Sequence, residues 1–458
     1  MSGIFPKSWP IHAIGLVSSI LLFGVGCSVV GGNLVSQDTI TATPAETAAE
    51  IPSPSQSPEN IPSATLQSET ILWWHFTTDS TQKLVLEKAA LKFTETNPSI
   101  TIKITSMERD AYKSRILGAL ESENAPDLFQ NDGDFAARNF AKSGYLQDIS
   151  PSMTEAWSST FVPSALALYN LNGRQYGAPR SFSMIGVWYN KAHFLRAGIG
   201  TLPTTWSEFL EDVRKLKSAG IVPIALGEGD KWSGALWWEY LALRLGGQAA
   251  FEEALSGTGA FTTDPFVQAG ERLTALISVH PFQADFLNLP TYPDASAEFG
   301  NGKTAIHLMG DWESENQKVN SSNGMGIGSD LGWFPFPIVE NGNGDSNDIL
   351  GGVTGWLVGR NAPPSTIEFL KFLTSKEIEC QMAGPGSMPV ALDAGDCLGD
   401  LLTKSVWETA IQAKYFQSYY DQYLPAAAAS ATNEAIHGLF AGTLSPAQVA
   451  QVIDDSFD

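Results

Sequence analysis

The sequence predicts an α/β protein built as two bodies, each a sheet with helices packed against it. Three observations lead there. The chain has 458 residues, more than one ordinary hydrophobic core organises. Between Thr70 and Phe129, strand-period and helix-period segments alternate as β-α-β-α-β, which argues for a parallel sheet with helices on both faces. The same alternation returns beyond Ile185, without an obvious sequence repeat.

The body opens with Thr70-Ile71-Leu72-Trp73-Trp74-His75-Phe76, rich in β-branched and aromatic residues. In a regular strand Trp73 and Trp74 point to opposite faces, one into the core and one into a cleft. Polar Thr77 to Ser80 leads into a helical pattern with Leu84, Val85, Ala89 and Phe93 on one side, and Asn97-Pro98 stops it. Ile100, Ile102 and Ile104 then alternate with Thr101 and Lys103 at strand period. A second helix carries Ile116, Leu117 and Leu120, and strand resumes at Pro126-Asp127-Leu128-Phe129.

Downstream, residues 185–189, 221–226 and 305–309 read as strands. Thr205 and Glu208 form a capping box, because each can satisfy an orphan amide of the helix that follows. Phe209, Leu210, Val213 and Leu216 are that helix's buried stripe, and Gly220 ends it. Ser365 and Glu368 predict a second capping box ahead of Leu370 and Leu373.

Ahead of the body, residues 1–26 read as a signal segment. Lys7 is its only charge, and the apolar stretch from Ile11 to Val25 is too short to span a bilayer as a helix. It ends Leu21-Leu22-Phe23-Gly24-Val25-Gly26-Cys27. This resembles a bacterial lipoprotein signal, with Gly24 where that pattern usually has Leu, and the resemblance implies cleavage before Cys27 and its acylation. Residues 27–69 are rich in Pro, Ser, Thr, Ala and Glu and almost free of aromatics. Such a segment buries too little apolar surface to offset its ordering entropy and reads as a disordered tether. The expected location is outside the cytoplasm, lipid-anchored to the membrane in the periplasm or at the cell surface.

The formal charge is −22, with no basic cluster. That argues against a nucleic-acid partner and against phosphate capture by a Lys/Arg surface. In an exported protein Cys380 and Cys397 could form a disulfide; two reduced thiols are the alternative. The six His residues are scattered and no Cys/His spacing suggests zinc, so neither a metal nor a cofactor is expected.

In open α/β sheets, ligands bind beyond the carboxyl ends of the strands. Several strand ends here carry an aromatic beside Asp, Asn or Glu. Trp74-His75-Phe76 ends the first strand, and Gln130-Asn131-Asp132-Gly133-Asp134 follows Leu128-Phe129. Gly227-Glu228-Gly229-Asp230-Lys231-Trp232 follows residues 221–226, and Gly310-Asp311-Trp312 follows residues 305–309. A sugar ring has an apolar C–H face, which Trp covers, and a hydroxyl rim, which carboxylates and amides serve. For any single Trp, packing in the core is the competing explanation.

The run Tyr176-Gly177-Ala178-Pro179-Arg180-Ser181-Phe182-Ser183-Met184-Ile185-Gly186-Val187-Trp188-Tyr189-Asn190-Lys191 resembles the crossover of extracellular solute-binding proteins of ABC sugar importers. So do Leu202-Pro203-Thr204-Thr205-Trp206, Gly302-Lys303-Thr304-Ala305-Ile306, Gly310-Asp311-Trp312, and Gly351-Gly352-Val353-Thr354-Gly355-Trp356 with Phe369-Leu370-Lys371-Phe372-Leu373. The resemblance covers about residues 71–390 and is to the maltose-binding-protein group. It implies the type II periplasmic-binding-protein fold: two α/β lobes, a hinge of crossing segments, and ligand held between them. The first lobe would comprise residues 70–178, with about 355–405 returning to it; the second would comprise 179–354, with about 406–458.

By that resemblance Trp312 matches a ring-stacking aromatic, and Trp232 falls where a second aromatic is often supplied. Asn131 and Asp132 lie where the first lobe gives polar contacts. Ser183 lies just past one crossover, and Gly352 and Thr354 just before another. Arg180 would donate to adjacent hydroxyls, or else form an interlobe salt bridge. Trp74 and Asp311 complete the expected ligand-binding set. The implied function is to bind an extracellular sugar or oligosaccharide, as a monomer and not as an enzyme, and to deliver it to the transmembrane permease subunits of an ABC transporter. Two other functions compete. Asp311, Glu313 and Glu315 form a carboxylate cluster that a glycoside hydrolase would need across the scissile bond. The same fold could instead take a polyamine in an acidic aromatic box, an amino acid or a ferric ion, for which Tyr419-Tyr420 is the only adjacent Tyr pair.

Overall fold

The computed structural model describes residues 68–133 and 135–457. The signal segment at 1–26, Cys27 and the tether as far as residue 67 lie outside the described residues. Among the described residues, no helix is long and apolar enough to cross a membrane.

The first strands follow from the hydrophobic alternation. β1 (Glu69–His75) buries Ile71, Trp73 and His75 and leaves Leu72 and Trp74 half-buried. β2 (Ile100–Ser106) lies parallel to it on one side and β3 (Leu128–Asn131) parallel on the other. Helices Ser80–Thr96 and Arg109–Glu121 make the crossovers. The buried face of the first is Leu86, Ala89, Ala90 and Phe93, at helical spacing, so the expected stripe is wrong at Leu84, which is 47% exposed. In the second, Ile116 and Leu120 are buried, but Leu117 points to solvent.

The later strands are β4 (Asn170–Leu171), β5 (Arg174–Gln175), β6 (Gly177–Asn190), β7 (Val222–Ala225), β8 (Thr304–Gly310), β9 (Leu331–Phe334), β10 (Ile349–Val358), β11 (Met388–Pro389) and β12 (Phe416–Ser418). The main sheet runs β2-β1-β3-β10-β6-β8-β7. β6 is the long crossing strand. Residues 177–184 pair antiparallel with β10, and residues 185–190 pair antiparallel with β8 and β9. β10 crosses in the other direction, antiparallel to β3 at residues 355–358 and parallel to β12 at 349–351. The first strands are therefore parallel, as their α-helical crossovers require, while the two crossing strands make the sheet mixed.

Each half has its own aromatic core. In the first, Trp73 meets the edge of Trp356 at 5.2 Å and of Phe369 at 5.1 Å. In the second, Phe336 stacks on Tyr240 at 4.4 Å and on Trp206 at 5.7 Å. Each such ring, fully buried, contributes on the order of 2–3 kcal/mol of transfer free energy.

The Thr205–Glu208 capping box is present: Thr205 Oγ1 accepts from the Glu208 amide at 3.2 Å, and Glu208 Oε2 from the Thr205 amide at 3.0 Å. The expected Ser365–Glu368 box is absent. Pro364 already has helical φ and ψ, so Ser365 sits inside the helix rather than at its cap, and Glu368 pairs with Lys371 at 3.0 Å. A second capping box joins Ser445 and Gln448. Cys380 and Cys397 are disulfide-bonded, with Cα atoms 5.3 Å apart, and the loop they close carries β11 back onto β6.

Candidate ligand-binding site

The wall contributed by the second half begins at the end of β8. All seven residues of β8 are buried, and the chain then turns so that the Trp312 ring lies over the backbone of Gly310. A Cβ on Gly310 would come within 2.3 Å of that ring, so only glycine permits this approach. The indole N–H of Trp312 donates to the Tyr292 hydroxyl at 2.8 Å. That hydroxyl lies 3.4 Å from Glu313 Oε2, to which it donates weakly. Glu313 is fully buried and its Oε1 accepts from Ser296 Oγ at 2.9 Å and meets His307 Nδ1 at 2.8 Å. Burial, with Glu313 beside it, raises the Tyr292 hydroxyl far above its ordinary value, so it stays a neutral donor.

Trp232 starts the helix Trp232–Ser256, directly after Lys231 in left-handed conformation (φ 67°). Its ring centroid is 6.3 Å from that of Tyr292. The turn before it is tied to the Tyr292 segment by two bonds from Thr291 and is closed on itself by a third from Ser233. Asp230 accepts from the Thr291 amide at 2.8 Å, and the Gly227 carbonyl accepts from Thr291 Oγ1 at 3.0 Å and from Ser233 Oγ at 2.6 Å. On the helix, Trp232, Leu236 and Glu239 are spaced by four and three residues, so they share one face. That face, with Tyr292, Trp312, Tyr419 and Ile185 of the crossing strand, lines a cavity of about 310 Å³.

The first half supplies a second cavity of about 440 Å³ at the ends of β1 and β3, with Phe76, Tyr112, Gln130, Asn131 and Asp132 in its wall. Gln130 is fixed in place. Its Oε1 accepts from the Phe76 amide at 3.0 Å and Thr77 Oγ1 at 3.1 Å, and its Nε2 donates to Thr354 Oγ1 at 3.2 Å. Asp132 is paired with Arg109, whose guanidinium lies 4.3 Å from the Phe76 ring centroid. Asp421 and Gln422, in the short helix Tyr420–Tyr423 after β12, line both cavities and join them.

Of the residues singled out in the sequence, Trp232 and Trp312 line the first of these cavities, and Asn131 and Asp132 the second. Trp74, Arg180, Ser183, Asp311, Gly352 and Thr354 line neither. Trp74 is half-buried and packs against the core. Ser183 Oγ is 3.2 Å from the Tyr419 hydroxyl, and a Cβ on Gly352 would meet the Tyr419 ring at 3.0 Å, so both shape the floor under that ring. Thr354 supports Gln130. Arg180 is buried, its Nε and Nη1 have no hydrogen-bond partner, and burial lowers its pKa to about 10.

Asp311 is 1% exposed and accepts from the backbone N–H of Met184 at 3.2 Å and from that of Gly386. Burial pushes its pKa up to about 7, with those two amides pulling the other way. The carboxylates weighed for hydrolysis do not face one another across a cavity. Asp311 and Glu313 are engaged as described, and Glu315 pairs with Lys318 at 2.6 Å on the surface.

Tyr292, Glu239, Tyr419, Asp421, Gln422 and Gln130 were not among the expected site residues. The strand-end rule had already marked the segment that holds Gln130, and it could have found three more. Tyr419, Asp421 and Gln422 follow β12 with the same mixture of aromatic, carboxylate and amide that marked the other strand ends.

A two-lobed sheet crossed by β6 and β10, with an aromatic-lined cleft at the crossing, defines a ligand-binding protein of the periplasmic type. The chain belongs to the bacterial extracellular solute-binding protein family, whose pattern matches residues 77–379. It is 25% identical over 288 residues to an uncharacterised ABC transporter extracellular-binding protein of Pyrococcus horikoshii, covering 62% of this chain and 64% of that one. It is 26% identical over 298 residues to a diacetylchitobiose binding protein of Streptomyces coelicolor, covering 63% and 66%. The chain thus spans just under two thirds of the length of these two relatives. Among solved structures, one from work on xylan utilisation by the thermophilic bacterium Caldanaerobius polysaccharolyticus superposes with a TM-score of 0.68. That protein is 26% identical and is covered completely by 85% of this chain.

Proposed function

We propose that this chain binds a sugar or short oligosaccharide between its lobes, leaves it chemically unchanged, and passes it to the permease subunits of an ABC importer. The observation that carries this reading is the wall of Trp232, Tyr292 and Trp312 around one cavity, joined through Asp421 and Gln422 to a second, largely apolar wall that presents Gln130, Asn131 and Asp132. Rings cover a sugar's C–H face, and the polar groups serve its hydroxyls. The diacetylchitobiose binding protein of Streptomyces coelicolor is a relative whose cargo is a carbohydrate.

The lobes divide at the crossing strands: residues 70–178 and about 355–405 form the first, 179–354 and about 406–458 the second. A ligand touching both walls favours the closed arrangement, which a permease can tell from the open one. Acylation at Cys27, followed by the tether at 27–69, would hold a monomeric body near that permease. A Cys27→Ser variant should then leave the membrane fraction; unchanged membrane retention would count against the anchor.

A thermal-shift series over mono- and oligosaccharides tests the reading. At least one carbohydrate should raise the melting temperature, because a ligand that binds only the folded state stabilises it. If spermidine or an amino acid does so and no sugar does, the carbohydrate reading is wrong.

A further inference from the structure

The cavity beside Trp312 has a chemistry narrower than a general sugar site. Among the described residues, two carboxyls line it, Glu239 and Asp421, and no lysine or arginine does. Glu239 is 1% exposed and its Oε2 has no hydrogen-bond partner. Its carboxylate is supported from behind by the backbone N–H of Tyr420. Around the two carboxyls stand the rings of Trp232, Tyr292, Trp312 and Tyr419.

Two carboxyls sharing a desolvated space repel one another once ionised, and a buried carboxylate oxygen without a donor is costly. Hydroxyls from a neutral sugar would donate to these oxygens but would not offset the cost of ionising them. An ammonium group would do both, and the ring faces of Trp and Tyr attract a cation that has shed its water. Lys113 and Arg109 act on Asp421 from the side of the first half, so its charge is partly met already. Among the described residues no cation offsets the Glu239 charge; burial and the Asp421 charge both push its pKa up.

We infer that the ligand of this cavity is a carbohydrate carrying a protonated amine, an amino sugar whose ammonium sits between Glu239 and Asp421 inside the aromatic wall. The inference rests on the carbohydrate reading above and narrows it.

Calorimetric titration at mildly acidic pH tests it with matched sugars that differ only in the group at the second carbon: free amine, acetamide or hydroxyl. The sets would be built on gluco, galacto and manno rings, as single sugars and as disaccharides. The amine member of one set should bind about tenfold or more tighter than its hydroxyl counterpart. Glu239→Gln should bring the amine and hydroxyl affinities to within about twofold of each other, whatever it does to both together. Asp421→Asn, at a less buried position, gives the same comparison if the first variant fails to fold. If the hydroxyl or acetamide member binds as well as the amine or better, this inference is overturned and the carbohydrate reading stands. If spermidine binds and no sugar of any set does, both are overturned.

Discussion

The indole N–H of Trp312 donates to the Tyr292 hydroxyl at 2.8 Å, so two rings from separate segments form one surface. The bond fixes the edge of the indole, and the ring remains only partly covered beside the cavity. A side chain held this way is set in place before ligand arrives, which limits the ordering entropy lost on binding.

Replacing Trp312 by Ala should therefore weaken sugar binding by about 2 kcal/mol or more, in the range of buried aromatic hot spots. Its cost in folding stability should be smaller than the ~3–5 kcal/mol of a truncated core aromatic. Tyr292→Phe keeps the second ring and deletes the hydroxyl, with its bond from Trp312 and its weak bond to Glu313, and should cost about 1 kcal/mol of binding or stability. Calorimetry and urea unfolding of both variants check this. Unchanged affinity with a collapsed unfolding midpoint for Trp312→Ala would make Trp312 a core residue instead.

Gly310 sets the position of the same ring. A methyl group there would overlap Trp312 ring carbons at 2.3–2.4 Å, and the Tyr292 bond prevents the ring from tilting freely away. Gly310→Ala should displace the indole and lower sugar affinity about tenfold, with a stability loss of ~1–3 kcal/mol from overpacking. Wild-type affinity and intrinsic Trp fluorescence in this variant would mean that the ring does not need its present place.

These two residues also mark how far the sequence was legible. The parallel strands were readable because Ile71 and Trp73, and Ile100 to Ile104, keep strand period. β6 was readable only from Ile185 on. Its first part, Gly177 to Met184, is buried almost throughout and carries no alternation. The strand-end rule located Trp232, Trp312, Asn131 and Asp132. It could not locate Tyr292, whose segment has no period and is placed by the bonds from Thr291 to Gly227 and Asp230. Nor could it show that the Asp311 carboxylate turns to backbone amides, because a carboxylate beside a Trp reads alike in either setting.

His75 gives a pH dependence of one sign. It is fully buried on β1, and burial, with Arg180 and Lys83 adding to it and the Thr77 backbone pulling the other way, lowers its pKa to about 4. The unfolded chain binds this proton at about pH 6.5. Between those values the unfolded state holds more protons, so the protein loses stability as pH falls from about 6.5 to 4. His75→Leu removes the titration. In urea unfolding at several pH values, the gap between wild type and variant should widen in favour of the variant toward acid. A constant gap would mean that His75 is not held neutral.

Asp311 gives the opposite sign. Its carboxyl accepts from Met184 on the crossing strand and from Gly386 in the loop before β11, so it ties the segment that bears Trp312 to both. With a folded pKa of about 7, above an unfolded value near 3.8, the native state holds the extra proton between them. The associated stability is fully present below about pH 4 and is lost as pH rises through 7, with a limiting slope of ~1.4 kcal/mol per pH unit. Asp311→Asn stays neutral throughout and keeps one acceptor oxygen for the two amides. Its stability relative to wild type should therefore rise from pH 4.5 to 7.5, on top of a constant penalty of about 1–2 kcal/mol for the amide left without a partner. Because His75 pulls the wild-type curve the other way at the acid end, only the difference between wild type and this variant isolates Asp311. If that difference is flat across the range, the Asp311 carboxylate is ionised in the native protein, and the two amides, rather than burial, govern its charge.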